Sequence, residues 1–574
     1  MTIETLAPEL IDNIVSFLPA TFTCLEPLTL TSKIFLDPAQ RRLLSSIGLW
    51  PGFQSDPERL PAKAFLEVIE NGKRVKMGKE SPVGRDIGVY VRTLTIWVTF
   101  YKRTPSSSGA TADAGQECWI FRDTQYLPRL LLALPNLRKL TVRACHPRDC
   151  DPGPGDFHED LKASLRSLCV NTSGRIGGGT GLEVLELDSM PHALIHHLLP
   201  LSGSSEGGVP TLKCVTFRGV RKKATASSDD LQAQERSQVH EQKERARLDT
   251  LVLLDGHSST GMTFQDYDPE DVSWVHEYFD WSRLRRLYFG AATEETQEDF
   301  LKILISSRET LEELRANPAF PVSDATLSFL KTRCPSILSF PNLRHFETWL
   351  YAVVDKPNHE QTSWYSGFCI SEVHCTHGPE IFEALSSRFF LGHGRSGNRV
   401  DDDLSTAHTA LTQVTLHIYF KDVGNHESIP AVDTLLGQDR VDEAIELLTQ
   451  ERFTPGIART MGLDWIDRAL TAVLPNGGKR FPNLRKVTIV VAPLPSESSY
   501  GSAEQRKIIK GMGEGLFGEW ELLRDGRLEV LSMAGESASL WVLHVEGELA
   551  DVVLVCKEHR GIDEVDDWVR EGSE

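Results

Sequence analysis

Leu137-Arg138-Lys139-Leu140-Thr141-Val142 and Leu182-Glu183-Val184-Leu185-Glu186-Leu187 are two copies of one hexad, L-x-x-L-x-apolar, and the reading of that hexad decides the fold. The last two apolar positions alternate as residues of a strand do, while the leading leucine turns the chain into it. Further copies are Leu165/Leu168/Val170, Leu212/Val215/Phe217, Leu248/Leu251/Leu253, Leu284/Leu287/Phe289, Leu311/Leu314/Ala316, Leu343/Phe346/Thr348, Leu411/Val414/Leu416, Leu484/Val487/Ile489 and Leu528/Leu531/Met533, with Thr93 to Val98 as a first copy. Helix-like stretches lie between them: Gln125 to Leu134, Pro269 to Phe279, Thr293 to Ser307, Asp324 to Thr332, Pro379 to Phe389, Gln438 to Gln450, Leu463 to Leu474 and Ala503 to Leu523. Strand then helix, repeated, predicts an α/β solenoid with a mainly parallel, curved sheet whose leucines face inward.

The repeat is irregular. Its leading leucines are separated by 17 residues at the shortest step and 73 at the longest. The shortest step, Leu165 to Leu182, is too small for a full repeat, so one of those two hexads is expected to be a turn or a hairpin. Polar or glycine-rich insertions interrupt the pattern at Arg103 to Glu117, Ser202 to Val209, Arg221 to Arg247 and Gly392 to Asp403, and are expected to be disordered. The array is expected to span 91–556, with an acidic tail at 557–574 and a linker with a capping helix at 49–90.

The chain of 574 residues carries a formal charge of −20, which argues against a surface built for nucleic acid or anionic lipid. No apolar run approaches the roughly 20 residues that cross a bilayer, and Met1 to Leu10 has no basic region followed by an apolar one. A chain of the cytoplasm and/or nucleus is expected, without a membrane partner. Its ten cysteines are too scattered for a disulfide scaffold and are expected to be mostly buried thiols.

Residues 1–48 differ from the array. Leu10, Ile14, Phe17 and Leu18 follow i, i+4, i+7, i+8 spacing after Pro8, which predicts a short amphipathic helix; Pro27 fits the first turn of a second. Asp37-Pro38-Ala39-Gln40 reads as an N-cap, a first-turn proline and a capping-box glutamine, with Gly48 at the far end of that helix.

The string Leu6 to Pro19, L-A-P-E-L-I-D-N-I-V-S-F-L-P, followed by Leu25, Leu28, Leu30 and Thr31 to Phe35, resembles the F-box. Leu6, Glu9, Leu10, Ile14, Leu18, Lys33 and Phe35 fall on the family pattern. Ala7 stands where its proline usually sits, Pro27 interrupts the leucine stretch, and Thr31-Ser32 replaces Val-Cys. The remainder is similar to the divergent leucine-rich repeats of fungal F-box proteins. The resemblance implies a short N-terminal helical F-box module followed by an irregular leucine-rich-repeat-like solenoid. It implies a substrate-recognition subunit of an SCF-type ubiquitin ligase, joined to the cullin-RING ligase through a Skp-type adaptor, with no catalysis or cofactor on this chain. The adaptor-binding residues would be Leu6, Pro8, Glu9, Leu10, Ile14, Phe17, Leu18, Leu25, Leu28, Leu30, Lys33 and Phe35. The alternative is an adaptor-independent leucine-rich-repeat scaffold whose first helices only cap the array.

Residues beside the second leucine of each hexad project away from the leucines. They include Lys139, Thr141, Arg143, Arg218, Arg286, Tyr288, Glu313, Arg315, His345, Glu347 and Trp349. Arg218, Arg286 and Arg315 would form a basic strip, and Tyr288 and Trp349 aromatic anchors, for a protein substrate on a concave face. Metal and phosphate sites are not expected. Cys369, His374, Cys375 and His377 lack zinc spacing, His192, His196 and His197 lack the glutamate of a zinc hydrolase, and Gly174 to Gly181 lacks a lysine.

Overall fold

The computed structural model describes residues 6–18, 22–50, 60–77, 87–98, 120, 123, 125–144, 158–171, 181–188, 209–210, 212–218, 246–254, 275–289, 297–316, 340–353, 410–421, 440, 443, 446, 463–471, 473, 478–479, 481–491, 516–534, 539–543, 545–546, 551–552 and 557–558. It divides into two units, Met1–Asp280 and Trp281–Glu574. Each is α/β and carries a parallel sheet.

The first unit begins with α1 (Pro8–Ser16), α2 (Phe22–Thr31) and α3 (Leu36–Leu43), with a 3-10 turn at Lys33–Phe35. Then follow β1 (Ser46–Leu49), α4 (Pro61–Met77), β2 (Thr93–Val98), α5 (Tyr126–Leu132), β3 (Lys139–Ala144) and α6 (Glu159–Cys169). β4 (Val184–Asp188), β5 (Cys214–Arg218) and β6 (Thr250–Leu254) complete its sheet. The strands lie side by side in chain order, each parallel to the next. Leu94, Leu140, Leu185, Val215 and Leu251 form one row in register, and Ile96, Val142, Leu187, Phe217 and Leu253 another. All ten are buried, as are the leading Leu137, Leu182, Leu212 and Leu248. α4 packs on α5 and α5 on α6, one helix for each of the first three strand steps.

The backbone repeats as the leucines do. The residue after each leading position offers a carbonyl to two N–H groups of the next copy. Arg92 accepts from Arg138 and Lys139 at 2.8 and 2.9 Å, Arg138 from Glu183 and Val184 at 2.8 and 2.9 Å, and Glu183 from Lys213 and Cys214 at 2.8 and 3.0 Å. Ser45 accepts from Arg92 and Thr93, both at 2.9 Å, by the same rule. Leu44-x-x-Ile47-x-Leu49 is therefore a copy of the hexad that the sequence reading assigned to the helical module. Gly48, expected at a helix end, lies within β1.

The second unit holds β7 (Arg286–Phe289), α7 (Gln297–Ser307), β8 (Glu313–Ala316), β9 (His345–Val353) and β10 (Gln413–Lys421). After these come α8 (Leu463–Thr471), β11 (Lys486–Val491), α9 (Glu521–Arg524) and β12 (Leu528–Ala534). These strands are again parallel in chain order, with Leu287, Leu314, Phe346, Val414, Val487 and Leu528 in one buried row. β13 (Ser539–Leu543) and β14 (Lys557–Glu558) add on antiparallel, so Lys557 and Glu558, expected to open the tail, belong to the sheet.

Two hexads are corrected. Leu165 and Leu168 lie in α6, where with Leu161 they make an i, i+4, i+7 buried face; Glu159 and Asp160 favour the helix start. Leu528 pairs with Val487, so it occupies the second-leucine row and Leu531 pairs with Val490, outside that row. The cause lies just before it. Gly526 takes φ 67°, which a glycine adopts without steric cost, and its N–H bonds back to Leu523 at 3.0 Å, so α9 turns directly into β12 without a leading leucine. The insertions at 103–117 and 392–403 lie outside the described residues. So do those at 202–209 and 221–247, apart from Val209, Ala246 and Arg247, which lie in two-residue strands. The helices expected at Asp324 to Thr332 and Pro379 to Phe389 are likewise outside.

Buried carboxylates start helices in both units. Asp467 on α8 accepts the N–H groups of Glu521 and Leu522 at 2.8 and 3.0 Å. Asp123 accepts those of Tyr126 and Leu127 at 2.7 and 3.1 Å. Burial pushes the Asp123 carboxyl above its usual range, against the pull of the Leu127, Tyr126 and Gln125 N–H groups. A carboxyl raised on folding binds its proton more tightly in the folded chain. Its contribution is therefore complete below the unfolded pKa and is lost as pH rises through the folded one. Asp123→Asn keeps an oxygen for the helix and has no proton to lose. Its melting temperature should rise relative to the parent as pH rises above about 4, and Asp123→Ala, which also loses the cap, should follow the same trend while staying about 1 kcal/mol less stable than Asp123→Asn. A difference between Asp123→Asn and the parent that does not change with pH would refute this assignment.

Candidate functional site

The three N-terminal helices enclose a small core of Ile11, Val15, Leu25, Phe35 and Ala39, with Leu6, Leu18, Leu28, Ile34 and Leu43 packed against it. Arg42 Nε donates to the Leu18 carbonyl at 3.0 Å, and Arg41 pairs with Asp12 at 3.3 Å and Asp37 at 3.1 Å, which clamps α3 on α1. Asp37 is inside α3 and no cap; it accepts the Tyr90 hydroxyl at 2.5 Å, tying the module to the start of β2. Pro27 stands inside α2 and not in its first turn.

This packing sorts the adaptor-binding residues named from the sequence. Leu25 and Phe35 are core, and Leu6, Leu18 and Leu28 lean on it. Pro8 and Glu9 are exposed, and the Lys33 side chain lies outside the described residues. Leu10, Ile14, Phe17 and Leu30 are 51%, 43%, 87% and 80% exposed. The apolar stripe read from the sequence, which left core and outer face unsorted, is thus mostly the outer side of α1. At 100° per residue, Ile11, Val15 and Leu18 form a second apolar stripe about 100° round the helix from Leu10, Ile14 and Phe17, and it is the second stripe that is buried. Two apolar stripes on one nine-residue helix leave one without cover inside the module.

The strand face opposite the leucines is polar and internally paired. Arg286 faces Glu313 at 3.8 Å, and Arg315 pairs with Glu347 at 3.0 Å across β8 and β9. His345 Nε2 lies 3.2 Å from Thr415 Oγ1 and 3.8 Å from Glu347. Tyr288 is half-buried, while the side chains of Arg218 and Trp349 lie outside the described residues. The arginines expected to form a free basic strip are therefore, in two of the three places, neutralised by a carboxylate one strand away. In the first unit Lys139 pairs with Glu186 at 3.3 Å, and Arg143 with Asp188 at 2.7 Å.

Sequence reading missed Trp50. It stacks on Trp97 with ring centroids 4.1 Å apart and planes at 17°, and the Arg143 guanidinium lies 5.1 Å from the Trp97 centroid. A signal was present: Trp50, Trp97 and Arg143 hold the same place in three successive hexads, each three residues beyond the second apolar position.

Among the described residues no cluster of His, Cys, Asp or Glu could hold a metal ion, and no helix is long and apolar enough to cross a membrane. Cys369, His374, Cys375 and His377, with His192, His196 and His197, lie outside those residues, as does Gly174 to Thr180; Gly181 is the turn into Leu182. Cys24 is an exposed free thiol and Cys214 a buried one. No family model matches this chain, and no curated protein matches it either.

The Arg315 and Glu347 side chains are mostly buried, so their pairing should be measurable. A double-mutant cycle of Arg315→Ala and Glu347→Ala in chemical denaturation should give a coupling of about 0.5–3 kcal/mol. Additive single effects would mean that the pair contributes nothing to stability.

Proposed function

We propose that the chain is the substrate-recognition subunit of a cullin-RING ubiquitin ligase of SCF type, working in the cytoplasm and/or nucleus. In this reading its N-terminal helices act as an F-box that binds a Skp-type adaptor. The strand arrays act as an irregular leucine-rich-repeat-like solenoid that captures a protein substrate. The observation that carries the reading is the outward apolar stripe Leu10, Ile14, Phe17, with Leu30, on a module whose own core is already closed. A helical module gains nothing from such a stripe unless a partner buries it, because each Leu, Ile or Phe buried is worth about 1.5–3 kcal/mol. The arrays supply what substrate capture requires: strands held in register by their backbones, with side chains on the opposite face from the leucines. The charge pairs there reduce the appeal of Arg286 and Arg315 as free anion binders, and Tyr288 is the better placed anchor. No catalytic step is assigned to this chain.

The second reading, a scaffold whose first helices only cap the array, is favoured by one feature. α3 runs straight into β1, and Asp37 is bonded to Tyr90, as an end cap would be. A cap of that kind needs its inner stripe and not its outer one.

Co-purification of the full chain with a Skp-type adaptor separates the two. Leu10→Asp with Ile14→Asp should leave the melting temperature nearly unchanged and weaken adaptor binding at least about a hundredfold. Ile11→Ala should instead unfold the module, at about 2–5 kcal/mol. An adaptor that binds neither chain leaves the capping reading, and one that binds both equally removes the Leu10, Ile14, Phe17 stripe as its interface.

A further inference from the structure

β1 is the first strand of its sheet, and Trp50 follows it directly. β2 pairs with one edge of β1. In a parallel ladder alternate residues bond to alternate sides, so half of the β1 N–H and C=O groups point away from β2. Trp50 is 51% exposed although one face of its indole lies on Trp97, and the opposite face stacks on no other ring among the described residues. Gly48 allows this placement. A Cβ there would meet Trp50 Nε1 at 2.9 Å, so only a residue without a side chain lets the indole lie back over the strand and reach Trp97.

The stack has an order: Arg143, Trp97, Trp50. Its inner end is closed by a guanidinium that Asp188 holds at 2.7 Å. Its outer end is an indole face, the most favourable of the aromatic surfaces for a cation. The chain carries a charge of −20, which draws cationic segments toward it and disfavours acidic ones.

We propose that this corner, the edge of Ser46–Leu49 that pairs with no other described strand together with the outer face of Trp50, binds an extended, arginine-bearing segment of a partner protein. The segment lies along β1 by backbone hydrogen bonds and places one guanidinium on Trp50, so that the stack reads Arg, Trp50, Trp97, Arg143. Strand addition supplies the alignment and the guanidinium the selectivity. The site is separate from the adaptor face of α1 and does not depend on the ligase reading.

The test is a titration of the full chain with a synthetic heptapeptide of alternating threonine and arginine, followed by calorimetry and tryptophan fluorescence. Two control peptides replace arginine by citrulline, which is planar and uncharged, or by glutamate. The arginine peptide should bind at least about fivefold more tightly than the citrulline peptide, and the glutamate peptide should not bind. Trp50→Ala should abolish that preference and Trp50→Phe should keep part of it, both with an unchanged melting temperature. Equal binding of arginine and citrulline peptides, or an undiminished preference in Trp50→Ala, overturns the proposal.

Discussion

A carbonyl that accepts two N–H groups from the following copy is the contact on which the rest of this structure depends. Repeated from Ser45 through Arg92, Arg138, Glu183 and Lys213, and again from Arg285 through Glu312, Arg344 and Thr412, it fixes the register at the entry to the strands that follow these residues; β12 is entered without it. Register in a sheet has a period of two, and a slip of one residue would turn the leucine rows outward. The doubled acceptor and the leading leucine therefore act together. The leucine is buried below the turn and the carbonyl above it is set by the neighbour, so each copy positions the next.

That local device explains why irregular spacing is tolerated. The register is set over three residues at the strand entry, whatever the length of chain between copies. The step from Leu343 to Leu411 is long, yet β9 and β10 pair over nine residues from His345↔Gln413 to Val353↔Lys421. Loop closure adds only about 0.6 kcal/mol for each doubling of length, which a few buried leucines offset readily. The same tolerance extends to the two copies that lack a leading leucine. Val91 replaces it before β2, and the Asp525-Gly526 turn dispenses with it before β12.

Residues whose meaning is set by alternation were legible in the sequence, and residues whose meaning is set by a third dimension were not. Leu140, Leu185, Leu287 and Leu314 announce their burial because a strand has two sides and only one carries leucine. Leu165 and Leu168 misled because a spacing of three suits both a hexad and a helix, and Leu161, one turn earlier, was the residue that decided it. The α1 stripes could not be ranked, since Leu10/Ile14/Phe17 and Ile11/Val15/Leu18 are equally apolar; only the position of Leu25 and Phe35 from later helices chooses between them. The charged strand face misled in another way. Arg315 and Glu347 are 32 residues apart in sequence, and their ion pair exists only because two strands are in register.

The unburied stripe on α1 and the open indole at Trp50 are the same kind of residue, left over after the fold has been satisfied. Among the described residues, the buried large apolar groups lie mainly in the leucine rows, beneath the helices, or in the small N-terminal core. Leu10, Ile14, Phe17, Leu30 and Trp50 contribute to none of these, and five of the eight exposed large apolar residues among those described lie in the first 50 residues, on or beside the three helices that precede the strand-and-helix repeat. Surface apolar residues scattered singly need no explanation, but three on one helical stripe, with a stacked indole at a strand edge after it, are a concentration. The folding of the array does not call for them. This is the physical reason for looking for partners at the N-terminal end of this molecule before looking for chemistry along its sheet.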